Sequence, residues 1–214
     1  MGTKTFHKMA STNDKIIRAV LRNVLDKDLE KYRAESGQPA EILEELGVRH
    51  GTSRIDIVVI NGVLHGYEIK SDRDTLDRLP DQMAEFNTVF DKLTLVVGKR
   101  HLYDAINIVP DWWGIIVAKI DANHEVFFQT IREADDNKDQ VGVSIARLLW
   151  KEEALQILEE QNKAKGVRSK PREFIYQRLA NVLDVETLKE KVRDALLVSR
   201  EDWRSDAPLI LNGG

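Results

Sequence analysis

The stretch Arg54-Ile55-Asp56-Ile57-Val58-Val59-Ile60-Asn61-Gly62-Val63-Leu64-His65-Gly66-Tyr67-Glu68-Ile69-Lys70-Ser71 decides how the rest of the chain is read. Two runs rich in β-branched and apolar residues flank Asn61-Gly62, a pair that accepts the positive φ angles of a type I′ turn, so the stretch reads as a β-hairpin. Side chains alternate across a strand, which puts Glu68 and Lys70 on one face and Tyr67, Ile69 and Ser71 on the other. Asp56 interrupts an otherwise apolar run, and a charge in a strand buried on both faces is costly unless it is paired or holds a metal. Asp56, Glu68 and Lys70 therefore share one problem. Two carboxylates can bind a hard divalent cation such as Mg²⁺, with the ammonium orienting a water beside it. The bland alternative is a cross-strand salt bridge at a sheet edge, contributing at most about 1 kcal/mol, and the apolar flanks disfavour that exposure.

Upstream, Ile16, Ile17, Val20, Leu21, Val24 and Leu25 recur at helical spacing behind Ser11 to Asp14, which predicts a helix over about residues 13 to 33. Gln38-Pro39 interrupts it, and Ala40 to Leu46 reads as a shorter helix ending at Gly47. Downstream, Leu79, Met83, Phe86 and Phe90 mark a helix with Pro80 in its first turn. Leu93 to Val97 and Gly114 to Ile120 read as buried strands, His101 to Asn107 as a helix between them, and Glu125 to Thr130 as an edge strand. Trp112 and Trp113 precede a buried strand and read as packing rather than as a stacking platform. His65 reads as a surface or capping residue, and Asp72 and Arg78 either as groups that support the site from behind or, the favoured reading, as a surface ion pair. Beyond the acidic loop Glu133 to Asp139 the pattern is helical only: Ile145 to Leu158 as one long helix, then helices around Phe174 to Leu183 and Leu188 to Leu197. The expected organisation is a core over residues 1–139, a helical C-terminal module over 140–205, and a frayed tail over 206–214.

With 214 residues and 42% hydrophobic side chains the chain can bury a sizeable core. It has no cysteine, so disulfides, thiolate metal sites and cysteine nucleophiles are excluded. No signal peptide or membrane-spanning run is visible, which leads us to expect a cytoplasmic protein without membrane attachment. The net charge of -4 hides an asymmetry: residues 163–204 carry 11 Lys+Arg against 7 Asp+Glu. Within that segment Lys163, Lys165, Arg168, Lys170, Arg172 and Arg178 face a single acid, Glu173. They read either as phosphate contacts, with Lys165, Arg168, Lys170 and Arg172 the nucleic-acid-binding candidates, or as a solvated linker.

The order Asp56, hairpin, Glu68-Ile69-Lys70 resembles the PD-(D/E)XK nuclease superfamily over roughly residues 40 to 120. Ile55 stands where that superfamily often has Pro. The longer run Gly66 to Asp72 with Arg78-Leu79-Pro80 is similar to an uncharacterised bacterial subgroup of it. The resemblance implies a restriction-endonuclease-like α/β core: a central mixed sheet of four or five strands flanked by helices. It implies metal-dependent hydrolysis of DNA phosphodiester bonds, with RNA as the other possible substrate. Glu45 (with Glu44 as the fallback), Asp56, Glu68 and the Ile69 carbonyl would hold one or two Mg²⁺ or Mn²⁺ ions. Lys70 would activate water. Gln82, with Phe86 one turn later, is similar to a Gln-x-x-x-Tyr feature of exonuclease branches and would hold Lys70 or a phosphate. Two further readings stand beside it: a catalytically silent nucleic-acid-binding module, and a structural or regulatory subunit that docks a protein partner. Oligomeric state is open in all three.

Overall fold

The computed structural model describes residues 11–199. The tail at 206–214 and the end of the helical segment beyond residue 199 lie outside the described residues, as do residues 1–10.

Helix α1, Asp14–Ser36, begins where the Asn13 side chain accepts the Ile16 N–H and ends at Gly37, whose φ of 65° lets its N–H close back on the Arg33 carbonyl. Its buried stripe is Ile17, Leu21, Leu25 and Leu29, one residue per turn. Six strands follow: β1 Glu41–Val48, β2 Ser53–Ile60, β3 Leu64–Lys70, β4 Lys92–Gly98, β5 Gly114–Ile120 and β6 Val126–Arg132. They form one mixed sheet in chain order, with β3, β4 and β5 parallel and the other pairs antiparallel. The two parallel crossovers carry α2 Leu79–Phe86 and α3 Leu102–Ile108. From residue 133 onward the described regular elements are helices: α4 Gly142–Ala146, α5 Lys151–Glu160, α6 Arg172–Val182 and α7 Val185–Ser199. The fold is therefore α/β around a mixed sheet, as expected, with one strand more than the hairpin reading counted.

Each face of the sheet has its own apolar layer. Against α1 lie Ile42, Ile57, Val59, Tyr67, Ile69 and Val96. On the opposite face Ile55, Val58, Leu64, Leu93, Leu95 and Ile115 join Phe86, Phe90 and Trp113, and residues of α4 to α7 complete the same cluster. A buried polar tie links that helical segment to the sheet: Asp91 accepts from the Leu64 N–H at 2.7 Å and pairs with Lys189 of α7 at 2.7 Å.

Three expectations are corrected by these elements. Ala40 to Leu46 is not a helix: its Glu- and Leu-rich composition favours one, but residues 41–48 pair with β2 from Glu41↔Ile60 to Val48↔Ser53, and the ladder overrides propensity. Glu45 thus comes from a strand, at a φ of 56° that marks a local irregularity in it. The single helix over Ile145 to Leu158 is two, because Trp150 starts a new one, its N–H donating to the Glu153 carboxylate. His65 is not a free surface residue; it is half-buried, stacked on Tyr67 and bonded to Thr94.

Candidate functional site

Strand β3 presents Glu68 and Lys70 on the face away from α1, both almost fully buried. Lys70 Nζ donates to Glu68 Oε1 at 2.5 Å and to Gln82 Oε1 at 3.0 Å, and Gln82 Nε2 donates to the same Glu68 oxygen at 2.7 Å. Gln82 reaches them because Pro80 fixes the first turn of α2 beside the end of β3. The second carboxylate oxygen, Glu68 Oε2, is buried without a hydrogen-bond partner. A buried, unsatisfied acceptor is expensive. Burial and the neighbouring Asp56 push the Glu68 carboxyl up to about 7, against the pull of Lys70 and Gln82.

Asp56 stands where β2 parts from β3. Their ladder stops at Ile57↔Tyr67, and beyond it the Ile69 N–H donates to Asp56 Oδ2 at 2.6 Å, so the carboxylate takes the place of a ladder carbonyl. Its other oxygen is held by Arg18 of α1 at 2.5 Å. Arg18 also bonds the Asp56 carbonyl at 3.0 Å, Glu45 at 2.9 Å and Asp14 at 3.1 Å. Burial pushes the Asp56 and Glu45 carboxyls up while Arg18 pulls them down. Against its own partial burial, Arg18 is held above its ordinary value by the hydrogen bonds and charges of Asp14 and Asp56.

The five side-chain residues expected to act together do meet: Asp56, Glu68, Lys70 and Gln82 line one open cleft of about 1090 Å³, and Glu45 faces it from β1. Arg18 was missed. Its position immediately after the buried Ile17, with Arg22 one turn on and bonded to the Ile42 carbonyl, is a legible sign that α1 carries cations toward the sheet. Arg49, Arg54 and Arg73 at the rim were missed too; with Arg78 they are exposed around the cleft. Arg49 pairs with Glu85 at 3.3 Å, whereas among the described residues no ion pair holds the side chains of Arg54, Arg73 or Arg78. The acids facing the cleft are mostly engaged internally. Asp14, Glu45 and Asp56 are on Arg18, Glu68 is on Lys70, and Asp74 accepts from the Ser71 N–H and hydroxyl.

As donors to a divalent cation the residues fit in one respect, the partnerless Glu68 Oε2. Glu45 and Asp56 are committed to Arg18, and among the described residues no three His, Asp or Glu stand together as a ready ligand set. The basic segment lies elsewhere: Lys165 and Arg168 border a separate depression of about 490 Å³ that shares no residue with the cleft. There Arg168 pairs with Glu159 at 2.9 Å, and Lys170 sits 5.7 Å from the centre of the Phe174 ring. Arg172 opens α6. Asp72 does not pair with Arg78; it accepts instead from Thr12 and from the Arg100 N–H.

A family described as Bacteriophage P4 protein cII matches residues 11–206. Protein cII of Enterobacteria phage P4 is 32% identical over 102 residues, covering 48% of this chain and 38% of that relative, so the match spans well under half of the relative's length. No solved structure matches. The family match overturns the assignment to the PD-(D/E)XK nucleases, and with it the expected metal-dependent nuclease or deoxyribonuclease activity. The short pattern was misleading for a physical reason. Asp … Glu-x-Lys on a hairpin also arises when buried charges compensate one another, as Glu68 and Lys70 do within β3 and Asp56 does with Arg18.

Proposed function

We propose a nucleic-acid-binding role for this chain, which belongs to the Bacteriophage P4 protein cII family: the cleft at the ends of β2 and β3 receives phosphate groups. The observation that carries this reading is the rim. Arg54, Arg73 and Arg78 stand exposed around a cleft whose inner acids Asp14, Glu45, Asp56 and Glu68 are paired with Arg18 and Lys70, leaving three guanidinium groups for an external anion. Guanidinium forks match phosphate oxygens bidentately, and several phosphates in one polymer fit several arginines. DNA is the proposed ligand, with RNA as the variant that the same contacts would accept. A cytoplasmic location, where both are at hand, fits this role.

Mg²⁺ or Mn²⁺ belongs to the proposal as a cation held at Glu68 Oε2, where it would supply positive charge between the buried carboxylate and a phosphate. Arg18 and Lys70 keep the surrounding carboxylates fixed and ionically paired whether or not that charge is present.

The test is a fluorescence-anisotropy titration of labelled DNA and RNA with Mg²⁺ or EDTA, comparing wild type with Arg54→Gln/Arg73→Gln/Arg78→Gln. We expect the triple variant to keep its circular dichroism spectrum and to lose affinity at least about tenfold, at roughly 0.5 kcal/mol or more per phosphate contact. Unchanged affinity in the triple variant would remove the cleft from nucleic-acid binding. An affinity indifferent to EDTA would remove the cation alone.

A further inference from the structure

We infer that a second cleft, beside the first, seats the backbone and unpaired bases of a single nucleic-acid strand; this inference rests on the binding role proposed above. The second cleft, about 790 Å³, lies where the ends of β4 and β5 meet the edge strand β6, and Arg73 lines both clefts, so the two are neighbours. Around it stand Arg73, Lys99, Arg100 and Lys119, with Ala118, Ile120 and Phe127 as its apolar lining residues.

Its one acid, Asp72, is held in place by backbone and hydroxyl donors and is outnumbered by the four cations around it. Asp72 Oδ1 accepts the Arg100 N–H at 2.9 Å, and Asp72 Oδ2 accepts the Thr12 N–H and hydroxyl at 2.8 Å each. The wall is held close: a Cβ on Gly98 would lie 2.5 Å from both the Asp72 N and Oδ1, so only glycine allows the end of β4 to approach the loop after β3 in this way. Lys119 donates to Gln129 at 2.5 Å, and among the described residues the side chains of Arg73 and Lys99 have no acidic partner.

The aromatic group defines the class of ligand. Phe127 is 45% exposed on the edge strand and is the register partner of Lys119 across β5 and β6, so a flat apolar ring stands directly beside a cation. A polyanion that also carries flat apolar units at regular intervals satisfies both features. Nucleic acid is such a polymer, and its bases are free to stack on a side chain only where they are unpaired. A duplex would offer this cleft phosphates but nothing for Phe127.

The experiment uses the full chain and oligothymidylates of about 4 and about 12 nucleotides, a duplex of the longer length, and polyglutamate as competitor. The longer strand is expected to bind at least about tenfold more tightly than the shorter. Phe127→Ala and Lys99→Gln/Arg100→Gln should each erase most of that gain, at an unchanged thermal midpoint, while Phe127→Trp retains it. If both variants leave the longer strand's affinity unchanged while Arg54→Gln/Arg78→Gln lowers it, the second cleft is excluded and the first stands. A duplex equally sensitive to Phe127→Ala, or polyglutamate competing as well as the strand charge for charge, also overturns the inference. If no oligonucleotide binds, both readings fall together.

Discussion

Strand β3 carries two buried polar clusters, one on each face, and they differ in a way that separates structure from function. On the α1 face, His65 bonds the Thr94 hydroxyl at 2.8 Å and the Tyr67 hydroxyl at 3.2 Å, with the His65 and Tyr67 rings stacked 4.3 Å apart. That cluster is uncharged and mutually satisfied. On the other face, Glu68, Lys70 and Gln82 also bond one another, but the cluster is charged, keeps one carboxylate oxygen without a partner, and opens on a cleft rimmed by arginines. Burial of polar groups is common to both. Residual imbalance beside an open cleft belongs only to the second, and that is what makes it the candidate site.

The comparison breaks most sharply at Lys70. Lys70→Met leaves Glu68 buried without its counter-ion and should cost about 3 kcal/mol at pH 8, measured by urea denaturation. The folded-state Glu68 carboxyl lies at about 7, above its ordinary 4.5, so the cost of ionising it is absent below pH 4.5, grows between pH 4.5 and about 7, and is level above that. The Lys70→Met deficit should therefore shrink at pH 5. An equal deficit at both pH values would mean that Glu68 is not the charged partner.

The uncharged cluster answers to acid instead. Burial, with Lys92 nearby, depresses the His65 imidazole from 6.5 to about 4. The neutral form is favoured in the fold, so stability is full above pH 6.5 and falls as pH drops toward 4, by about 3 kcal/mol from this residue. His65→Gln should flatten that limb of the pH–stability curve; a limb of unchanged depth would place its origin elsewhere. A smaller effect is expected at Thr94→Val, about 1 to 2 kcal/mol, because the His65 ring nitrogen then loses its partner. A neutral Thr94→Val would make the cluster incidental packing.

The hairpin was legible because its signals are local: two β-branched runs and Asn61-Gly62 fix the turn, and alternation then places Glu68 beside Lys70 without further knowledge. Gln82 was reachable for a similar reason, since Pro80 and the Met83-Phe86 spacing set the helix that follows. The strand at residues 41–48 was not legible, because Glu-Ile-Leu-Glu-Glu-Leu has good helix formers and its pairing partner β2 lies outside that window. Arg18 was invisible as a partner of Asp56, 38 residues away, for the same reason: nothing local says which sheet edge α1 crosses. The chemistry of the trio was over-read. Its spacing is shared by buried charges that compensate one another, and it is the family match rather than the spacing that tells the two situations apart.

The measurement that tests the central claim most directly is the salt dependence of single-strand binding, log Kd against log salt, for wild type and Arg54→Gln/Arg73→Gln/Arg78→Gln. Three lost phosphate contacts should reduce the slope by about two. A slope that does not change would contradict the assignment of the cleft to nucleic acid, whatever the absolute affinity.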